Sequence, residues 1–392
     1  MRKKHFLFAS VLALLCGSST LHAQDFKLTS SGYFKNQGVD VMAFDDIYPE
    51  GHQGGVCIIM NGHRVATNGD IRLEATPGQW QPVPKQLDRK LGDNSITATL
   101  CYPDSSRHLT GFNPMIYPDL HLIYTVNVES KGKNIEVTVD LDRPIPQEFI
   151  GKVGFNLEFF PGSLFGKPWI MDGQSGIFPQ QPNSPLMTTQ PNYLHTGNYH
   201  DGKKSLADMD KLIGKGYSPI VADDIISEPY AKGTKFTSRP DDPYNKVTIE
   251  SLSGDLQLFD GRMNHNNGWF VLRSNIKPGV TKGAVKWIIT PNVVADWMYQ
   301  PVIQTSQIGY HPTQDKEAVI EMDIRDNRKE TAQIIRIDAD GEKVVKNVTP
   351  ANWGKFLRYN YLKVNFTDVK EPGLYKIKYN TSVSPIFRID ND

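Results

Sequence analysis

Acid–base chemistry needs carboxylates held at a fixed separation, and this chain offers adjacent acidic pairs at Asp45-Asp46, Asp223-Asp224 and Asp241-Asp242, with a further acidic run at Asp338-Ala339-Asp340-Gly341. The pairs sit near Gly, Pro or Tyr in loop-like sequence, where neighbouring carboxylates are solvated or ligate calcium rather than catalyse. The Asp338–Gly341 run lies between two apolar stretches and reads as a hairpin turn. His195, His200 and Asp201 bring two imidazoles and a carboxylate into one short segment. A zinc site wants its histidines on one face of a helix or strand, and Gly197 and Asn198 make this segment a loop, so neither a metal nor a cofactor is expected. Asn264-His265-Asn266-Asn267-Gly268 is turn chemistry as well. Aromatic rings crowd a Gly- and Pro-rich stretch at Phe159, Phe160, Phe165, Trp169, Phe178 and Tyr193. Sugars stack their apolar faces on exposed rings. Phe159, Phe160, Phe165 and Phe178 are read as core, and Trp169 and Tyr193 as the carbohydrate-binding candidates.

The elements that must position such residues begin after residue 23. Arg2, Lys3 and Lys4, an apolar run from Phe6 to Cys16 too short to cross a bilayer, and Leu21-His22-Ala23 before Gln24 form a secretory signal over residues 1–23. The protein is therefore expected to be exported, periplasmic or secreted. A lipid anchor on Cys16 is not expected, because Leu15 stands where a small residue is needed. No later run is long and apolar enough to suggest a transmembrane helix. Lys plus Arg and Asp plus Glu both number 43, so there is no electrostatic case for a nucleic acid or an anionic membrane surface. The mature chain keeps Cys57 and Cys101 in β-like apolar runs. Export permits a disulfide between them, and two buried thiols fit the sequence equally.

Strand patterns dominate. Leu120–Val128, Ile135–Leu141, Gly154–Phe160, Lys246–Ile249, Asp255–Phe259, Trp269–Leu272 and Ala284–Ile289 read as strands between turn residues. Ser205, with Asp208 three residues on and Gly214 at the end, marks one helix. Further on, Ala318, Ile320, Met322 and Ile324, then Leu362, Val364 and Phe366, then Tyr375, Ile377 and Tyr379 alternate with polar residues, as in strands with one wet face. The fold class is all-β: a large antiparallel β-sandwich-like domain over 24–300, then a smaller β-sandwich over 301–392. The junction at Ala295–Pro301 is short, so the two should touch.

In that last segment Gln307, Gly309, Tyr310, Pro312 and Lys316, then Asp368, Pro372, Gly373 and Tyr375, then Ser384, Phe387 and Ile389 form an ordered pattern. It resembles the immunoglobulin-like domain that precedes the catalytic barrel of many family 9 glycoside hydrolases. The large domain resembles the supersandwiches of sugar enzymes in architecture, and some family 9 hydrolases of gut bacteria look similar to this chain from end to end. In that family the catalytic base lies in an Asp-Ala-Gly-Asp motif on the barrel, and this sequence has no such motif, so no catalytic residue is assigned. The resemblance implies a non-catalytic accessory region acting on β-glucans, with its immunoglobulin-like domain stabilising a barrel, absent from this chain, in cis or in trans. It places Gln307, Gly309 and Tyr310 at the domain interface. The alternative is a carbohydrate-binding protein without an enzymatic partner.

Overall fold

The computed structural model describes residues 25–45, 54–74, 76–77, 84–102, 120–182, 186–187, 226–263 and 268–391. The signal segment, the helix expected at 205–214, Tyr193, the His195–Asp201 segment, Asp46, Asp223-Asp224 and residues 264–267 lie outside them. Among the described residues the chain is all-β, with no α-helix. Two nine-stranded antiparallel sheets make up the larger part. In the first, Val153–Phe159 is central, flanked by His63–Leu73 on one side and Phe270–Asn275 on the other. In the second, Val285–Pro291, Asn134–Leu141, Ile123–Lys131 and Ser95–Cys101 run side by side. The expected strands form with ends shifted by a few residues, because turn residues mark where a ladder breaks less sharply than apolar alternation marks its middle.

Alternation decides what each sheet buries. Phe155, Leu157 and Phe159 point toward the second sheet, where Phe155 meets the edge of Trp287 at 5.0 Å and Phe159 meets Phe236 at 5.8 Å. The indole N–H of Trp287 donates to Ser274 Oγ at 3.0 Å, so the largest ring of this core carries no unpaired polar group. Asn156 and Glu158 are the alternate residues of the same strand, yet they are buried too. Around them Asn156 donates to Glu74 Oε1, Arg273 reaches Glu74 Oε1 at 3.3 Å and its backbone oxygen at 3.0 Å, and Asn68 donates to Glu158 at 2.6 Å. The middle of this sheet is thus apolar on one face and ionic on the other, and both faces are out of water.

The smaller sandwich packs a four-stranded sheet (Val302–Gln304, Glu317–Asp323, Tyr359–Asn365, Ala351–Phe356) on a five-stranded one built around Ala332–Asp338 and Gly373–Tyr379. Ile320, Met322, Leu362, Val364 and Phe366 meet Ile334, Tyr375, Ile377, Phe387 and Ile389 in a core separate from that of the larger part. Asp338 pairs across its hairpin with Gly341, so the acidic run there is a turn.

The segment between the two parts lies on hairpin turns of the first. Gly38 has φ +67°, and a Cβ there would come within 2.7 Å of the Trp297 ring and 2.5 Å of Asn61 Oδ1. Gly62, with φ +83°, lies under Tyr299. Gln37 Nε2 donates to the Trp297 carbonyl at 2.8 Å, and Arg358 reaches back to Asp40 at 3.0 Å. The parts touch through glycine turns that admit two rings. Gly38→Ala meets both an unfavourable φ and the indole, and is expected to cost about 1–3 kcal/mol and to speed proteolysis within 292–301. Unchanged cleavage there would mean that Trp297 does not hold the junction.

Candidate functional site

Trp169 is only 6% exposed: Tyr230 stacks beside it at 6.4 Å, and Gly176 lies so close that a Cβ would meet the indole at 2.4 Å. The expectation of a sugar on Trp169 is therefore corrected, since the glycine exists to let the ring sink into the sheet. Phe159 and Phe178 are core as expected. Phe165, read as core, is instead 36% exposed and lies beneath the Arg262 guanidinium at 5.1 Å. No disulfide joins Cys57 to Cys101, so of the two readings the sequence left open the bridge does not form. They stand on strands of different sheets, and Cys57 hydrogen-bonds Thr67 Oγ1 at 3.0 Å within its own sheet. Asp242 is taken up by the backbone N–H of Tyr244 and by Asn245 and Arg239, as a turn cap.

The ordered pattern in the smaller sandwich turns out to hold that sandwich together. Tyr310 is 8% exposed, with its ring edge-on to Phe366 and Phe387 at 5.1 and 5.3 Å. Its hydroxyl accepts from Ser306 N–H at 3.0 Å and donates to the Glu317 carbonyl at 2.9 Å. Its backbone bridges to Arg388 and Asp390. Gly309, at φ +86°, lies so close to the Arg388 carbonyl that a Cβ would meet it at 2.5 Å. Buried Lys316 donates to the carbonyls of His311, Pro312 and Gln314, and burial lowers its pKa. Ser384 Oγ accepts from Ile377 N–H at 2.9 Å. On the turn pinned at Ser306 and Tyr310, the apolar side chain of Ile308 is 94% exposed. The pattern did not include it, and only a strongly exposed aliphatic on a rigid turn marks it.

A second surface lies on the outer face of the four-stranded sheet. Tyr359 and Tyr361 stand two residues apart on one strand, opposite Asp323 and Glu321 on the next. Trp353 occupies the bulge of the edge strand, where pairing jumps from Asn352 to Gly354, and Phe356 pairs with Tyr359. Ring centroids run in file: Trp297 to Tyr299 at 6.3 Å, Tyr299 to Tyr359 at 5.1 Å, Tyr359 to Tyr361 at 6.1 Å, Tyr361 to Trp353 at 5.6 Å, and Trp353 to Phe356 at 6.5 Å. Glu321 fixes two of them, accepting from Tyr299 at 2.9 Å and Tyr361 at 3.1 Å. Burial, and then that carboxylate, raise the Tyr299 hydroxyl well above the usual phenol range, so it stays a donor. Asp323 is pushed upward by burial, but hydrogen bonds from Arg325 and from Tyr299 N–H outweigh this and hold it at about 2.

Residues 298–384 match the family model of a cellulase N-terminal ig-like domain. Every structural residue of the pattern up to Ser384 falls inside that match, as do Ile308, Tyr299 and the rings of the outer sheet face. Among solved structures, the chain is similar to the Slr1438 protein from Synechocystis sp. PCC 6803, with TM-score 0.32 and 11% identity over 74% of this chain and 100% of that one. It is also similar to HI1317, with TM-score 0.26 and 8% identity over 67% of this chain and 93% of that one. Neither likeness bears on function. No curated protein matches. The ig-like domain thus presents two distinct features to solvent: an aliphatic side chain on a pinned turn, and a set of rings linked pairwise from the junction to the edge strand.

Proposed function

We propose that this chain is the exported, non-catalytic accessory region of a family 9 type glycoside hydrolase acting on β-glucans, and that its ig-like domain seats and stabilises a catalytic barrel supplied in cis or in trans. The match over 298–384 carries the reading. The contact to the barrel is assigned to Ile308 rather than to the ring of Tyr310, because Tyr310 is spent inside its own domain while Ile308 has no core to enter. Gly309, at φ +86°, shapes the turn that carries this contact, and exposed Gln307 stands beside Ile308 on it. A stand-alone carbohydrate-binding protein is the second reading, favoured by the exposed rings.

The test joins the chain to a family 9 catalytic domain and follows thermal unfolding. Ile308→Asp should remove about 1.5–3 kcal/mol of the stability the barrel gains, the worth of burying one large aliphatic side chain. The isolated chain should unfold as before, since Ile308 touches no core. A barrel that gains nothing from the chain, or gains as much from the variant, would overturn this reading.

A further inference from the structure

From the file of rings we infer a binding track for an extended, uncharged glucan chain, running from the cleft between the two parts across the outer sheet face of the ig-like domain. The cleft is about 610 Å³ and includes Tyr33, Trp297, Tyr299 and Tyr359 among its walls. Clefts of this size between domains, with rings and a few fixed polar groups, are where small ligands settle. The track continues past Tyr361 into a second hollow of about 220 Å³ lined by Val319, Trp353, Phe356, Tyr361 and Lys363.

Three observations select the ligand. Trp353 meets Tyr361 and Phe356 edge-on, at 88° and 87°, and Trp353 and Phe356 are each 56% exposed, so flat apolar surface faces water at a fixed orientation. The C–H faces of pyranose rings pair with such surface, and several rings spread over two strands and the junction suit a ligand that repeats. Next, most charges along the track are paired, Arg358 with Asp40, Arg325 with Asp323 and Lys363 with Glu317, while Glu321 is taken up by the hydroxyls of Tyr299 and Tyr361 and Lys35 also lines the cleft. A polyanion or polycation would have to break these pairs, whereas hydroxyl groups, each donor and acceptor, bond to the lone pairs and N–H groups that remain. Finally, the rings continue the contact already made at the junction, where Trp297 and Tyr299 are held against Gly38 and Gly62. The track is rigid at that end, so less ordering is required on binding. The identity of the sugar as a β-glucan rests on the proposed function; the track itself does not.

Affinity electrophoresis of the full chain in gels holding hydroxyethyl cellulose, mixed-linkage β-glucan or dextran tests this, with cellohexaose titrated by calorimetry. Retardation by the β-glucans and not by dextran is expected. Both exposed rings are removed in W353A/F356A, a variant whose melting should stay near that of the parent, and affinity should fall at least about tenfold. No retardation in any gel, or equal retardation of parent and variant, overturns the track. Retention by dextran as strong as by the β-glucans would leave a sugar site but overturn an extended β-glucan as its ligand. Self-association lost in W353A/F356A would show the face to be a protein contact and overturn it as well. The barrel plays no part in this measurement, so its outcome is separable from that of Ile308→Asp.

Discussion

Arg273→Ala should unfold the larger domain more readily than any surface change, by about 3–5 kcal/mol, because it removes one partner of a buried ion pair and strands the other. Arg273 and Glu74 are each about 1% exposed, and the guanidinium reaches both the carboxylate and the backbone oxygen of Glu74. The loss should depend on pH. Burial raises Glu74 to about 7 against an ordinary 4.5, with Arg273 opposing the rise; burial likewise lifts Asp70 to about 6. Between the unfolded and folded values the native state holds protons that the unfolded chain has released. These groups therefore contribute most at acidic pH, and their contribution falls as pH rises through 7. Without Arg273 the carboxylate is better kept protonated, so the gap between parent and variant in urea unfolding should be smallest near pH 5 and widen toward pH 8. A gap independent of pH would mean that the guanidinium acts through packing and its other hydrogen bonds alone. Glu74→Gln, which removes the charge and keeps the shape, should cost less than Arg273→Ala at pH 8.

The other large effect is expected at Tyr310. Truncation to Ala removes a ring held between Phe366 and Phe387 and should cost about 3–5 kcal/mol. Because the ring lies in the core of its own domain, the loss should be the same in the isolated chain and in a chain joined to a catalytic barrel. Tyr310→Phe keeps the ring but orphans Ser306 N–H and the Glu317 carbonyl, and about 1–3 kcal/mol should go. Melting curves of the two variants with and without the barrel decide it. A markedly greater loss in the joined protein would return Tyr310 to the interface.

What the sequence determined by itself was everything that depends on local period and local chemistry. Alternation in Ile135–Leu141, Ala318–Met322 and Tyr375–Tyr379 reports which face is buried because side chains in a strand must alternate, and those strands form. Asp340-Gly341 turns because few residues tolerate the geometry it needs. The pattern from Gln307 to Ile389 was legible as a domain, and Gly309, Tyr310, Lys316, Ser384 and Phe387 proved to be pins of its core. Tertiary structure alone decided the roles that depend on what arrives from elsewhere in the chain. Trp169 follows Gly166-Lys167-Pro168 and Trp353 follows Ala351-Asn352, neighbours that do not say which ring is buried, yet Gly176 and Tyr230 cover one while a bulge in an edge strand exposes the other. Cys57 and Cys101 occupy similar runs but lie on different sheets. The file from Trp297 to Phe356 draws on a linker and two strands, and no spacing along the chain encodes it, because it exists only where the register of Tyr359 with Asp323 and Phe356 sets those rings side by side.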